Sequence, residues 1–141
     1  MNIILNHTIS VNDYNTLRKA VNWLTLEEAQ ARRGIKNTYY LVAAVDGDKT
    51  VGMARVISDG GYVVYIADVI VIPEYQGKGI GRFIMEDVMK YIYEVISNGA
   101  PVMVNLMSAF NRESFYEQFG FVKRPTSDAG AGMFQWVNLD K

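Results

Sequence analysis

The chain has 141 residues, half of them hydrophobic, and its 14 basic and 15 acidic side chains give a net charge of −1. This length suits a single compact domain, residues 1–141, that can bury a core without disulfides. There is no cysteine and His7 is the only histidine. A disulfide framework, a thiolate nucleophile, a Cys-ligated metal and a paired-histidine zinc site are therefore excluded. The balanced charge gives no general attraction to phosphate backbones, so we expect no nucleic-acid partner.

The N-terminal segment does not have the pattern of a signal peptide. Residues 1–7 lack the basic and long apolar regions of a signal peptide. No apolar run in the chain is long enough to span a bilayer, so we expect no membrane partner. Together with the absence of cysteine, this fits a reducing compartment, and we expect a cytoplasmic protein.

A short strand and two helices are predicted before the main sheet. Residues 3–5 fit the strand, and Asn12 or Asp13 is placed to cap an amphipathic helix. Thr25 and Glu28 have the spacing of a capping box for the second helix. Gly34 would end that helix.

Three β-rich segments follow, separated by short glycine-containing turns. Two turns, Asp46-Gly47 and Asp59-Gly60-Gly61, are typical of β-hairpins. The predicted strands are Tyr39 to Val45, Thr50 to Ser58 and Tyr62 to Ile72. They form an antiparallel meander.

Helices and strands alternate in the second half of the chain. Pro73 ends the third strand because proline cannot donate to the ladder. A strongly amphipathic helix then runs from Ile80 to the stop signal Asn98-Gly99. The later elements are a strand from Val102 to Leu106, a helix from Asn111 to Phe119 ended by Gly120, and strands from Phe121 to Arg124 and from Met133 to Leu139. This order predicts one α/β domain of the α+β type, with a strand-helix-strand crossover after the meander.

The most informative segment joins the third strand to the amphipathic helix. It reads Gln76-Gly77-Lys78-Gly79-Ile80-Gly81-Arg82. Alternate glycines let backbone N-H groups come close to a ligand, and the first turn of a helix attracts an anion. Lys78 and Arg82 add positive charge. The pattern predicts a phosphate or pyrophosphate site, the alternative being that the glycines only make a tight connection.

The common nucleotide motifs do not fit this segment. A P-loop requires four residues between its first glycine and Gly-Lys-Ser/Thr, and the hydroxyl that binds magnesium is missing here. The dinucleotide fingerprint requires G-x-G-x-x-G after the first strand of a parallel unit, whereas these glycines are spaced G-x-G-x-G after three antiparallel strands. Both nucleotide hypotheses are disfavoured.

The glycine segment resembles the signature Q/R-x-x-G-x-G/A of the GNAT N-acetyltransferase superfamily. Its defined positions are matched by Gln76, Gly79 and Gly81. A second family landmark lies downstream, where Asn111 precedes Phe115-Tyr116-Glu117-Gln118-Phe119-Gly120-Phe121. The resemblance covers about residues 39–124.

The resemblance implies a fold and an activity. The fold is the acyl-CoA N-acyltransferase fold, in which a central mixed, mostly antiparallel sheet with splayed strands is flanked by helices. The activity is transfer of an acetyl group from acetyl-CoA directly to a primary amine, without a metal and without an acyl-enzyme. Such a mechanism suits a chain with no cysteine and a single terminal histidine.

The resemblance also implies which residues hold acetyl-CoA. The backbone of the third strand would pair with the pantetheine arm as an added strand. The N-H groups of the glycine segment would hold the pyrophosphate, and Asn111 would reach the pantetheine or the phosphate side. The implied residues are Val69, Ile70, Val71, Gln76, Gly77, Lys78, Gly79, Ile80, Gly81, Arg82 and Asn111.

Direct transfer requires alignment, oxyanion stabilisation and two proton transfers. The backbone N-H of Val69 or a neighbour is the candidate oxyanion donor. Tyr116 matches the position of the family's acid tyrosine, and its neutral phenol can protonate the departing thiolate. The alternative is that Tyr116 only packs in its aromatic cluster.

Asp68 is the candidate base, because it interrupts an apolar strand and a buried carboxylate needs partners. The alternative is a structural aspartate bonded to backbone N-H groups or to Arg55. Glu74 is a weaker candidate, and ordered water can also take the proton. The base therefore stays open between these alternatives.

The sequence leaves the amine acceptor open. Arg18 and Arg55 would favour a carboxylate-bearing amine such as an amino acid, while aromatic side chains would suit an arylalkylamine or a polyamine. A protein N-terminus or lysine, a non-catalytic CoA-binding sensor or interaction module, and a possible homodimer are further alternatives. Candidate acceptor-site residues are Tyr14, Trp23, Tyr40, Arg55, Tyr65 and residues 128–133.

Overall fold

The computed structural model describes residues 1–139, which divide into two compact units. The first unit is Met1–Met107, and the second begins at Ser108 and is described to Leu139. The organisation as a single functional domain stays a prediction.

The first unit contains five strands and three α-helices within residues 1–107. The strands are β1 (Ile3–Asn6), β2 (Tyr40–Asp46), β3 (Lys49–Ser58), β4 (Val63–Val71) and β5 (Met103–Leu106). The helices are α1 (Val11–Ala20), α2 (Glu28–Lys36) and α3 (Ile80–Tyr91). A 3₁₀ turn, Pro73–Tyr75, precedes α3, and a π-helical turn, Ile92–Ser97, extends it to the left-handed Asn98.

The strands form one sheet in the order β1-β2-β3-β4-β5. All neighbours are antiparallel except β4 and β5, which are parallel and are connected through α3. The predicted mixed, mostly antiparallel sheet and its strand-helix-strand crossover are thereby confirmed. Pairing of β5 with β4 covers Val63 to Ile66, which uses the whole length of β5, so β4 extends beyond the end of its parallel partner.

Helices cover both faces of the sheet. On β3, Arg55 donates to the Gly34 carbonyl of α2, while Gly52 packs against α3, where an added Cβ would lie 3.1 Å from Ile84 Cδ1. These two positions have opposite parity along the strand, so α2 and α3 lie on opposite faces. The core residues between the layers are fully buried, among them Val42, Val51, Val56, Ile84 and Val88.

The first two helices do not begin at their predicted caps. Helix α1 starts earlier than expected because Ser10 is its N-cap, with Oγ accepting from the Asp13 N-H at 3.0 Å. Helix α2 starts at Glu28 without a side-chain cap. The Asn15 side chain bonds both the N-H and the carbonyl of Leu26, which holds the preceding segment outside the helix.

Gly34 lies inside α2 and does not end it; the helix continues to Lys36. An added Cβ at this position would lie 3.7 Å from Arg55 Nη1, and the Gly34 carbonyl accepts from the same nitrogen at 3.0 Å. A Cβ at this position would therefore be in ordinary van der Waals contact with the guanidinium.

The second unit contains helix α4 (Glu113–Glu117) among its described residues. The strands predicted for residues 121–124 and 133–139 are not formed. The Phe121 N-H bonds back to the Tyr116 carbonyl, so this segment completes the helix end at left-handed Gly120 and joins no ladder. Residues 133–139 have no strand partner within the described part of the chain.

Candidate active site

The glycine segment is anchored to the sheet on its N-terminal side. Tyr75 donates to Asp46 Oδ2 at 2.7 Å, a bond that lowers the pKa of Asp46 and raises the pKa of Tyr75. Gln76 donates from Nε2 to the Val71 carbonyl at 2.8 Å. The end of β4 and the start of the glycine segment are therefore held together.

The glycine segment itself presents open backbone. Gly77 and Gly79 have φ angles of +76° and +85°, and no atom lies within 4 Å of a Cβ added to either. Gly79 is the N-cap of α3, and the first helical bond runs from the Phe83 N-H to its carbonyl at 3.0 Å. The N-H groups before Phe83 have no helical acceptor, which suits an anion.

Strand β4 is irregular just before this segment. Met53 pairs with Ile70 and Arg55 pairs with Ala67, so β4 has one residue more than β3 in this interval. The extra residue forms a β-bulge, with Asp68 in the left-handed conformation at φ +54°. Because β5 pairing ends at Ile66, residues 67–71 have no strand partner on that side among residues 1–139.

The Asp68 carboxylate accepts three hydrogen bonds. Oδ1 accepts from Arg18 Nη1 at 2.9 Å, and Oδ2 accepts from Arg55 Nε at 2.8 Å and from the Tyr14 hydroxyl. The side chains of the two ion pairs are only 10 to 12% exposed. Burial and the bond to Asp68 raise the pKa of Tyr14 to about 12, so Tyr14 is a firmly protonated donor at neutral pH.

The predicted acceptor-site residues fall into separate places. The Arg18 guanidinium lies 5.6 Å from the Trp23 ring centroid, and burial and the charge of Asp68 raise the pKa of Tyr65. Tyr40 instead lies on the α3 face, where it donates to Asp87 Oδ2 at 2.6 Å and stacks on Tyr91 at 3.8 Å between centroids. Tyr40 therefore does not join the Asp68 cluster.

The second unit holds the predicted acid. Tyr116 is buried, with edge-to-face contacts to Phe115 and Phe121 at 5.1 and 6.3 Å between centroids. Burial raises the pKa of Tyr116 to about 12. Asn111 is exposed and left-handed, two residues before α4, and residues 128–133 belong to the same unit.

The two residues of α1 that donate to Asp68, Tyr14 and Arg18, were not predicted from the sequence as its partners. Arg18 lies four residues after Tyr14, on the face of α1 that also buries Leu17. A basic residue in the apolar stripe of a helix is a signal that a buried carboxylate lies opposite.

The chain matches known acetyltransferases over nearly its whole length. The family model described as "Acetyltransferase (GNAT) domain" matches residues 10–138. The uncharacterized N-acetyltransferase ycf52 of Pyropia yezoensis is 28% identical over 134 residues, which is 92% of this chain and 73% of that protein.

Solved structures agree with this match. One is a protein of unknown function and probable acetyltransferase from meticillin-resistant Staphylococcus aureus. It has 32% identity and a TM-score of 0.84, over 96% of this chain and 100% of that one. Another is a GNAT-family acetyltransferase from Streptococcus pneumoniae, with 28% identity and a TM-score of 0.77 over 98% of each chain.

The chain belongs to the GNAT acetyltransferase family. It is an acetyl-CoA-dependent N-acetyltransferase, and acetyl-CoA is the acetyl donor of the family. Among residues 1–139, no helix has the length and apolar character needed to cross a membrane.

Proposed function

We propose that this enzyme transfers the acetyl group of acetyl-CoA directly to a primary amine on a small molecule. The observation that carries the proposal is that residues 67–71, which have no strand partner on the β5 side among residues 1–139, lead through a short turn to open backbone at Gly77 and Gly79. An extended, hydrogen-bonding arm that ends in a pyrophosphate would satisfy both features at once.

Acetyl-CoA would lie along β4. The backbone of Val69, Ile70 and Val71 would pair with the pantetheine amides, and the N-H groups from Gly77 to Arg82 would hold the pyrophosphate. Gln76 would keep the strand end and this cradle in register through its bond to the Val71 carbonyl. Lys78 and Asn111 are both exposed and would contact the phosphate and pantetheine side.

The amine would attack the thioester carbonyl to give a tetrahedral intermediate. The Val69 N-H, which lies in the bulge, would stabilise the oxyanion. As the C–S bond breaks, Tyr116 would donate its proton to the departing thiolate; its pKa of about 12 keeps that proton in place at neutral pH. Asp68 as the base stays a prediction, and its three donors favour the structural alternative.

The acceptor is best described as an amine without a carboxylate. The hypothesis that Arg18 and Arg55 bind an acceptor carboxylate loses support, because Asp68 already occupies both guanidinium groups. Trp23 and Tyr65 remain near this cluster and would suit an arylalkylamine or a polyamine. Cytoplasmic location and homodimer formation stay predictions.

Ligand and acceptor panels test this proposal. We expect acetyl-CoA and CoA, but not ATP or NADH, to raise the melting temperature. We then expect thiol release from acetyl-CoA with arylalkylamines or polyamines, and much less with amino acids or with peptides that offer an N-terminus or a lysine. Stabilisation without thiol release would indicate a CoA sensor, and turnover of peptides alone would contradict the small-molecule acceptor.

A further inference from the structure

The backbone around Asp68 is released from the sheet on both sides. On the β3 side the bulge leaves one residue of β4 without a partner, and on the β5 side pairing has already ended at Ile66. Backbone N-H groups in this interval are therefore available to a ligand, but the ladder alone does not fix their direction.

Three side chains from two elements converge on the Asp68 side chain. Helix α1 supplies Tyr14 and Arg18, and β3 supplies Arg55. Each arginine is itself fixed by the backbone of a neighbouring segment: Arg18 Nε donates to the Leu24 carbonyl at 2.6 Å, and Arg55 Nη1 donates to the Gly34 carbonyl at 3.0 Å. The two arginines that bind the carboxylate are thus themselves held in position by backbone carbonyls.

The left-handed conformation of Asp68 and the burial of its ion pairs both reduce the stability of the folded state. A left-handed conformation is unfavourable for a residue with a side chain, although aspartate tolerates it better than most. Burying charged groups carries a desolvation penalty, and apolar residues of similar volume often stabilise a protein as well or better. Stability alone therefore does not explain two arginines and one carboxylate at a bulge. Their presence indicates that the backbone of the bulge must be held in one geometry.

We propose that Asp68 is a positioning residue whose carboxylate is clamped by Arg18 and Arg55, so that the bulge presents the Val69 N-H in one orientation to the thioester carbonyl. The inference rests on the proposed function of β4 as the acetyl-CoA strand. It assigns Arg18 and Arg55 to the catalytic geometry and takes the role of base away from Asp68. Because Arg18 lies on α1 and Arg55 bonds α2, the clamp also ties both helices to the bulge.

The first test separates positioning from base catalysis by a pH profile. Asp68→Asn keeps the shape and the tolerance of the left-handed conformation but removes the charge that the arginines require. A positioning role predicts that kcat falls by about 10²-fold, by the same factor across the pH range, with little change in acetyl-CoA affinity. Recovery of kcat towards the pKa of the amine would restore Asp68 as the base and overturn the proposal.

The second test leaves Asp68 unchanged, so that the proposal can still be tested if Asp68→Asn does not fold. In Arg55→Lys, one ammonium cannot bond Asp68, the Gly34 carbonyl and Thr38 Oγ1 together, as the guanidinium does. We expect lower kcat with unchanged acetyl-CoA affinity. The matched control is Arg32→Lys, in the exposed Arg32–Glu28 pair, which should have wild-type kcat.

Nuclear magnetic resonance gives a readout that is independent of turnover. We expect the Val69 amide resonance to differ between the CoA and acetyl-CoA complexes in the wild type and in Arg32→Lys. In Arg55→Lys that difference should be lost. A wild-type Val69 response and normal kcat in Arg55→Lys would overturn this inference alone, whereas no turnover by the wild-type protein would overturn the proposed function and this inference together.

Discussion

At the residue scale, the proposed mechanism requires a phenol that keeps its proton. Tyr116 is buried between Phe115 and Phe121, and burial raises its pKa to about 12. Such a group is neutral at every physiological pH, so it can donate to a thiolate but cannot serve as a base. In the proposed mechanism, Tyr116 is therefore the proton donor only, and a different group must accept the proton of the amine.

Replacing Tyr116 with Phe tests the acid role, because only the hydroxyl is lost. We expect kcat to fall by about 10²-fold, as is usual for loss of a general acid, while calorimetry finds acetyl-CoA affinity little changed. Tyr93→Phe, at a tyrosine that is 79% exposed, is the control and should keep wild-type kcat. Equal kcat in the two variants, with chemistry rate-limiting, would reduce Tyr116 to a packing residue.

The pH dependence of kcat gives a second residue-scale prediction. The acid form of Tyr116 is lost only as pH approaches its pKa of about 12. We therefore expect no decrease in kcat due to this group between about pH 7 and pH 10. A descending limb near the ordinary tyrosine value that is present in the wild type and absent in Tyr116→Phe would contradict this assignment.

At the scale of elements, the connection from β4 to α3 is the proposed pyrophosphate cradle. Gly79 and Gly47 are a matched pair, since both have positive φ and open space around an added Cβ. Alanine at either position costs about 1 to 2 kcal/mol of conformational strain, so both variants should unfold at similarly lowered temperatures. Only Gly79→Ala should lose acetyl-CoA affinity by calorimetry; equal affinities for acetyl-CoA in the two variants would remove the cradle assignment.

The N-cap of α1 gives a stability prediction. Ser10 Oγ accepts from the Asp13 N-H at 3.0 Å, so Ser10→Ala leaves that donor without its side-chain partner. We expect the free energy of unfolding to fall by about 1 kcal/mol in urea denaturation, with kcat per folded molecule unchanged. No change in stability would show that water replaces the cap at no cost.

Local patterns predicted those elements whose hydrogen bonds are close in sequence. The meander, the crossover and the stop at Asn98 follow from hairpin turns, proline and helix periodicity. Residues 133–139 were predicted wrongly as a strand, because a strand requires a partner with free ladder groups, which the local sequence does not specify. The start of α2 was wrong for a similar reason, since Asn15, eleven residues away, fixes Leu26.

The candidate site shows the same limit. The open backbone of the glycine segment could be predicted because it depends on seven consecutive residues, Gln76 to Arg82. The Asp68 bulge could not, because it exists only in the register between β3 and β4. Its partners Tyr14 and Arg18 lie 54 and 50 residues away, and only the folded sheet brings them to the carboxylate.

At the scale of the whole molecule, two buried tyrosines are expected to lower the stability of the fold at alkaline pH. The pKa values of Tyr14 and Tyr116 are raised from 10.0 to about 12. Between about pH 10 and pH 12 the folded state therefore keeps these protons, whereas the unfolded chain has lost them. The contribution of the two tyrosines to the free energy of unfolding is complete below about pH 10 and is lost as the pH rises through about 12. We expect a lower melting temperature at about pH 11 than at about pH 8, with a smaller decrease in Tyr14→Phe; equal decreases would contradict this assignment.

Amine-dependent acetyl transfer tests the central claim most directly. Purified protein, acetyl-CoA and a polyamine or arylalkylamine are mixed, and free CoA thiol and acetylated amine are measured over the same time course by absorbance and mass spectrometry. The account predicts one acetylated amine for each CoA released, no release without amine, and no acetyl group on the protein. Thiol release that proceeds at the same rate without amine, or an acetylated protein that accumulates before product, would contradict direct transfer.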